Sequence, residues 1–266
     1  CSTLSGLQRN LLKCPRDKKH VYLYGNRRPY CLLTNDDFLL PYYNRTVPDN
    51  CQRKGLAMVC TDLSSEHHRY LSRALIVRNL KDFPQFSSAI FSNIISLEIS
   101  QCSVLVLTSG FDNLTALTRL VLHSNGIYAV GASVLKNLQF LFYLDLHNNS
   151  RPQLDTNVFS SLGNLLHLNL SHNNLSLLQV PLFQNNTKLV SLDISHNRLT
   201  HFPPFLFQGL FSVQNLMLSH NPVDRNNMKE KYEFHQLLCL QKLELVHEEI
   251  CCLVRNVQCT ADLKSS

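Results

Sequence analysis

Residues 165–175 read LLHLNLSHNNL and residues 189–199 read LVSLDISHNRL, two stretches that superimpose after a shift of 24 positions. Leu165, Leu168, Leu170, Asn173 and Leu175 fall on Leu189, Leu192, Ile194, Asn197 and Leu199, giving the pattern L-x-x-L-x-L-x-x-N-x-L. Self-similarity at a fixed period of 20–50 residues is the mark of a solenoid, in which each unit buries its apolar face only by stacking on the next. The L-x-L core alternates as a strand does, and neighbouring copies are expected about 4.8 Å apart in a parallel ladder.

The period extends outward on both sides. Phe111, Leu135, Phe159, Phe183 and Phe207 stand 24 residues apart, and Leu117, Leu141, Leu165, Leu189 and Val213 follow each by six. Weaker copies run through Ile94, Leu97, Ile99, Cys102 and Val104, and through Leu71, Ala74, Ile76 and Asn79. Downstream, Val213, Leu216, Leu218, Asn221 and Val223 keep the pattern, whereas Leu240, Leu243, Leu245, Glu248 and Ile250 arrive after 27 residues, with Asp224–His235 as the loop that absorbs the excess. The pattern resembles the leucine-rich repeat, with about eight copies between residues 71 and 250. That resemblance implies an α/β leucine-rich-repeat solenoid: a curved parallel sheet on the concave face, short irregular or helical convex segments, and disulfide-bonded caps. The expected organisation is a cysteine-rich N-terminal region and cap at 1–60, repeats at 61–250, and a cysteine-containing cap or hinge start at 251–266.

Within the repeats the leucines and phenylalanines are core. Asn125, Asn149, Asn173, Asn197 and Asn221 stand where the chain leaves the strand, and an amide there can satisfy backbone groups that the turn strands. Cys102 occupies the same slot and is expected to remain a buried, inert thiol.

Open solenoid ends need covering, and the remaining cysteines gather there. Cys1, Cys14, Cys31, Cys51 and Cys60 precede the repeats; Cys239, Cys251, Cys252 and Cys259 close them. Ten cysteines in 266 residues point to an oxidising, extracellular setting. Five N-terminal cysteines leave one over, implying an upstream partner or a reduced thiol, and spacing alone does not give the connectivity. Six N-x-S/T sequons, at Asn44, Asn113, Asn148, Asn169, Asn174 and Asn185, are glycosylation candidates that fit secretion. Asn169 lies between Leu168 and Leu170, so a glycan there would stand on the concave surface.

With 44% hydrophobic and 17% charged residues the chain can bury a sizeable core. Its formal charge of +6 belongs to the N-terminal third: residues 1–80 carry thirteen Lys or Arg against six Asp or Glu. Arg9, Lys13, Arg16, Lys18, Lys19, Arg27 and Arg28 would suit a sulfated polysaccharide, the minor reading that salt-resistant heparin retention would raise. No nucleic-acid motif accompanies these dispersed charges, so no nucleic-acid partner is expected. No apolar run reaches the roughly 18–20 residues of a membrane span. The start at Cys1 suggests a mature secreted product or an excised piece of something longer, in which case the membrane would be met through a missing part.

Between the inward leucines, outward side chains form columns along the solenoid. One reads Glu98, Val121, Asp145, Asn169, Asp193, Met217 and Glu244; its four acids suit the Lys or Arg side chains of a basic peptide. Phe142, Tyr143 and Met217 would supply desolvated contact. A second column carries His172, His196, His220 and His247, with His123 and His147 one position earlier in their repeats. Stacked imidazoles about 5 Å apart suit a metal or a pH response. S-H-N is nonetheless a common, solvated form of this turn, and no metal or cofactor is expected. Enzymatic signals are absent. Ser and His neighbours on one strand point apart, Glu66-His67-His68 lacks metal-ligand spacing, and there is neither a phosphate-binding glycine loop nor a G-x-S-x-G elbow.

The C-terminal segment narrows the resemblance. Asn221-Pro222 is not followed by the cysteines of a Toll-type or matrix-type cap; instead Ile250-Cys251-Cys252 leads to Val257-Gln258-Cys259. This is similar to the end of the ectodomain in leucine-rich-repeat-containing G-protein-coupled receptors, of the glycoprotein-hormone-receptor and relaxin-receptor types. The resemblance implies an extracellular domain that captures a peptide or protein hormone on its concave face. The acids that hold hormone arginines in relaxin-type members would correspond to Glu98, Asp145, Asp193 and Glu244. Residues 1–50 lack the six-cysteine, acid-rich signature of the low-density-lipoprotein class A module that those members carry. The alternative is a secreted or anchored recognition or adhesion protein of innate immune or matrix type, with contact on a lateral or convex surface. Seven apolar segments of about 20 residues following Ser266 would decide for the receptor.

Overall fold

The computed structural model describes residues 51–54, 57–60, 73–79, 89–102, 106–107, 110–149, 153–223, 237–245 and 258–261. An eleven-stranded sheet runs through them, composed of β1 (Cys51–Lys54), β2 (Ala57–Cys60), β3 (Ala74–Arg78), β4 (Ser96–Ser100), β6 (Arg119–Val121), β8 (Tyr143–Asp145), β10 (His167–Asn169), β11 (Ser191–Asp193), β12 (Asn215–Met217), β13 (Lys242–Leu245) and β14 (Gln258–Ala261), adjacent in that order. Only β1 and β2 are antiparallel; every later pairing is parallel. The two-residue strands β5 (Val106–Leu107), β7 (Ala129–Val130) and β9 (Gln153–Leu154) make a second, three-stranded sheet, and a 3-10 turn spans Ala89–Asn93. This is the leucine-rich-repeat solenoid that the periodicity implies.

Register follows the leucines. Leu97, Leu120, Leu144, Leu168, Leu192, Leu216 and Leu243 pair across successive strands and are essentially inaccessible to water. Full burial of one such side chain contributes about 1.5–3 kcal/mol. On the opposite wall Phe111, Leu135, Phe159, Phe183 and Phe207 are all buried, and the Phe159 and Phe183 rings stack with centroids 6.1 Å apart.

Each strand of the large sheet from β3 to β12 is followed by a residue of left-handed conformation: Asn79, Gln101, Ser124, Asn148, His172, His196 and His220, with φ between 53° and 60°. The backbone N–H of each of the first six donates to a carbonyl of the following repeat, from Asn79 to Ser100 O at 3.2 Å through His196 to Ser219 O at 2.9 Å. Beside them lies the asparagine ladder. Asn173 Oδ1 accepts from Asn149 N at 2.8 Å, while its Nδ2 donates to Leu146 O and Leu170 O at 3.2 and 2.8 Å. Asn149, Asn197 and Asn221 likewise donate to the preceding repeat's carbonyl and to their own. Cys102 in this slot is a buried thiol that donates to Ser100 O at 3.5 Å.

The first repeat departs from its sequence reading by one residue. Leu75 and Val77, not Ala74 and Ile76, pair with Leu97 and Ile99, which puts Ile76 in the outward column beside Glu98 and Asn79 in the turn slot of Gln101. The segment ALIVR is apolar on both strand faces, so alternation did not mark which side points in, and a slip of one exchanges the faces. At the other end the ladder continues past residue 250: in β14, Cys259 stands opposite Leu243. Cys60 near the first strands and Cys239 near the last each take part in a disulfide. Cys51 stands opposite Cys60 in the β1–β2 hairpin. Cys1, Cys14, Cys31, Cys251 and Cys252, the sequon at Asn44, His247 and the Asp224–His235 loop lie outside the described residues.

Candidate ligand-binding face

The parallel register assembles the outward column as a continuous row: Glu98, Val121, Asp145, Asn169, Asp193, Met217 and Glu244 are consecutive partners from β4 to β13. Its acids differ in what holds them. Glu98 Oε1 accepts from Arg78 Nη2 at 3.0 Å, and Glu244 pairs with Lys242 on its own strand. Asp145 is only 7% exposed, and its Oδ1 accepts from the His147 backbone N–H at 2.9 Å and from His147 Nδ1 at 2.8 Å. Asp193 Oδ1 accepts from Ser195 N at 2.9 Å and Ser195 Oγ at 2.6 Å, and no cationic side chain among the described residues is bonded to it. Asn169 repeats this with Ser171, at 2.9 and 2.7 Å. Aspartate or asparagine here therefore closes the end of its own strand, which is one reason the column is polar.

Two residues earlier on each strand runs a column that sequence reading passed over, apart from Tyr143: Arg119, Tyr143, His167 and Ser191 are successive partners. The Arg119 guanidinium lies 5.1 Å above the Tyr143 ring, and Tyr143 and His167 are 6.1 Å apart. Burial pushes the Tyr143 phenol up, with Asp145 adding to the effect, and burial pushes His167 down to about 4. Reading every outward position, and not only the residue between two leucines, would have found this column.

Phe142 precedes its strand and belongs to the sheet's entry edge with Ile95, Thr118, Leu166 and Val190. These are joined by N–H to O bonds of 2.8–2.9 Å and all are half-buried. Met217 lies between Asp193 and Glu244, half-buried. The register thus gathers Phe142, Tyr143, Asp145 and Asp193 within three adjacent strands, while Glu98 and Glu244 stand toward the two ends.

The histidines form two stacks. His172, His196 and His220 are exposed and follow one another at ring separations of 4.0 Å; His123 and His147 stack at 4.9 Å. Burial, followed by the neighbouring His147, pushes His123 down. Among the described residues no group of three His, Cys, Asp or Glu is arranged to hold a metal ion, and none forms a helix long and apolar enough to cross a membrane. Of the sequons, Asn148 and Asn185 are exposed, Asn113 and Asn174 half-buried, and Asn169 sits mid-column.

Residues 115–175 and 173–223 match the family model for the leucine-rich repeat. Among solved structures the chain is similar to one in the crystal structure of the TLR13-ssRNA13 complex, with 25% identity and a TM-score of 0.47. That match covers 64% of this chain and spans 28% of the other. No curated protein matches the chain.

Proposed function

We propose that this leucine-rich-repeat solenoid is a non-enzymatic binding domain that captures a peptide or protein ligand on its concave face. The observation that carries the reading is the unbroken register from β4 to β13, which turns single outward residues into rows that one extended or helical ligand can follow. Tyr143 and Phe142 supply apolar contact at the centre, and Asp193 supplies a carboxylate that pairs with no Lys or Arg among the described residues. In this reading the chain is the extracellular hormone-binding portion of a leucine-rich-repeat G-protein-coupled receptor, at the cell surface, with no nucleic-acid partner. The test is twofold: a coding sequence that continues into seven apolar spans, and loss of at least tenfold in affinity for a basic peptide ligand when Asp193 is changed to Lys. A basic ligand indifferent to that change argues against the site.

A second reading rests on the outer surface. Val106, Tyr128, Leu177, Val180 and Phe205 are exposed apolar residues away from the strands of the large sheet, Phe205 being 61% exposed with φ of 65°. Such residues suit a secreted or anchored recognition or adhesion protein that touches its partner with the convex side. In that case Phe205→Ser weakens partner binding and Asp193→Lys does not.

A further inference from the structure

The charges of the inner face do not all remain available. Glu98 is paired with Arg78 and Glu244 with Lys242, while Asp145 is closed in by burial and by its hydrogen bond to His147. Among the described residues two more accessible charged side chains of the face have no ion-pair partner: Arg119 on β6, whose guanidinium rests on the Tyr143 ring, and Asp193 on β11, whose carboxylate accepts from Ser195. They have opposite sign. The strands between them, β8 and β10, present Tyr143 and His167 in one row, and burial keeps the His167 ring neutral above about pH 4. Three strand steps of about 4.8 Å and two residues of about 3.3 Å along the strand place the poles about 16 Å apart.

We infer that the ligand of this face is a bipolar peptide segment whose acidic side chain pairs with Arg119 and whose basic side chain pairs with Asp193, with an apolar stretch lying over Tyr143 and His167. This rests on the concave-face reading and sets the ligand's charge pattern, which the acidic column alone does not. An extended segment rises about 3.3 Å per residue and returns a side chain to the same face every second residue, so acid and base four or six residues apart reach both poles. A guanidinium already stacked on an aromatic ring keeps its edge donors for a carboxylate, the geometry suited to paired hydrogen bonds. A purely basic segment would meet Asp193 favourably and Arg119 unfavourably.

The experiment uses the full chain, immobilised at neutral pH, and a displayed library of random twelve-residue peptides. The expected result is enrichment of peptides with Asp or Glu four or six residues from Lys or Arg. A synthesised winner should lose at least tenfold in affinity to Arg119→Glu and to Asp193→Lys, and lose less to Arg119→Lys than to Arg119→Glu, because Lys keeps the charge but not the paired donors. Winners that carry only basic residues and ignore Arg119→Glu, yet fail on Asp193→Lys, overturn the bipolar ligand and leave concave capture standing. Winners indifferent to both changes, or no enrichment over the blank support, overturn this inference and the reading beneath it together.

Discussion

Asn173 shows how one side chain ties two repeats together. Its amide reaches Asn149 N, Leu146 O and Leu170 O, all buried. Asn173→Ala takes this acceptor from the buried Asn149 N–H, while Leu146 O and Leu170 O keep the amides of Asn149 and Asn197, at a cost of about 1–3 kcal/mol, read as a lowered denaturation midpoint. Cys102 stands in the same slot, where its thiol donates to Ser100 O. Cys102→Asn restores a two-sided donor and is expected to raise stability by about 1 kcal/mol in the same assay. The asparagine slot was legible because its role needs one residue type at one spacing. The binding role of Asp145 was less so, since a carboxylate that closes its own strand and one that awaits a ligand look alike in sequence. His167 carries a pH signature. Its folded pKa, held down to about 4 by burial, lies below the ordinary 6.5, so an unfolded chain takes up this proton first as pH falls. Stability from this group is complete above about pH 6.5 and declines toward pH 4. His167→Gln should flatten that part of the profile by on the order of 2 kcal/mol, measured as unfolding free energy against pH.

At the scale of the element, the turn after each strand fixes the register and the outer loop sets the spacing. Gly209 has φ of 93°, and a Cβ there would collide with the Gln184 carbonyl of the preceding repeat. Gly209→Ala must therefore displace backbone as well as adopt a conformation that L residues avoid; a loss of about 2 kcal/mol or more is expected, seen in urea unfolding. Strands β4 to β13 were readable from leucine spacing because each buries one face. Strand β3 was misread by one position because Ala74, Leu75, Ile76 and Val77 are all apolar and give the eye no polar face to exclude. The short outer strands β5, β7 and β9 gave no sequence signal at all. Two-residue pairings such as Val106 with Ala129 arise from the stacking of repeats and not from local propensity.

For the whole molecule, stacking converts a repeated strand into a face with rows, and rows into a pattern of charge. Neighbouring side chains cancel most of that pattern, leaving Arg119 and Asp193 on either side of Tyr143 and His167. Cancellation across strands depends on which side chains meet, so the sequence showed the acids and not their partners. The central claim is that ligands lie on this concave face and not on the outer surface. The most direct test is the affinity of one library-selected peptide for two variants side by side, Asp193→Lys on the inner sheet and Phe205→Ser on the outer loops. The account predicts a loss of at least tenfold for the first and less than twofold for the second; the reverse order would contradict it.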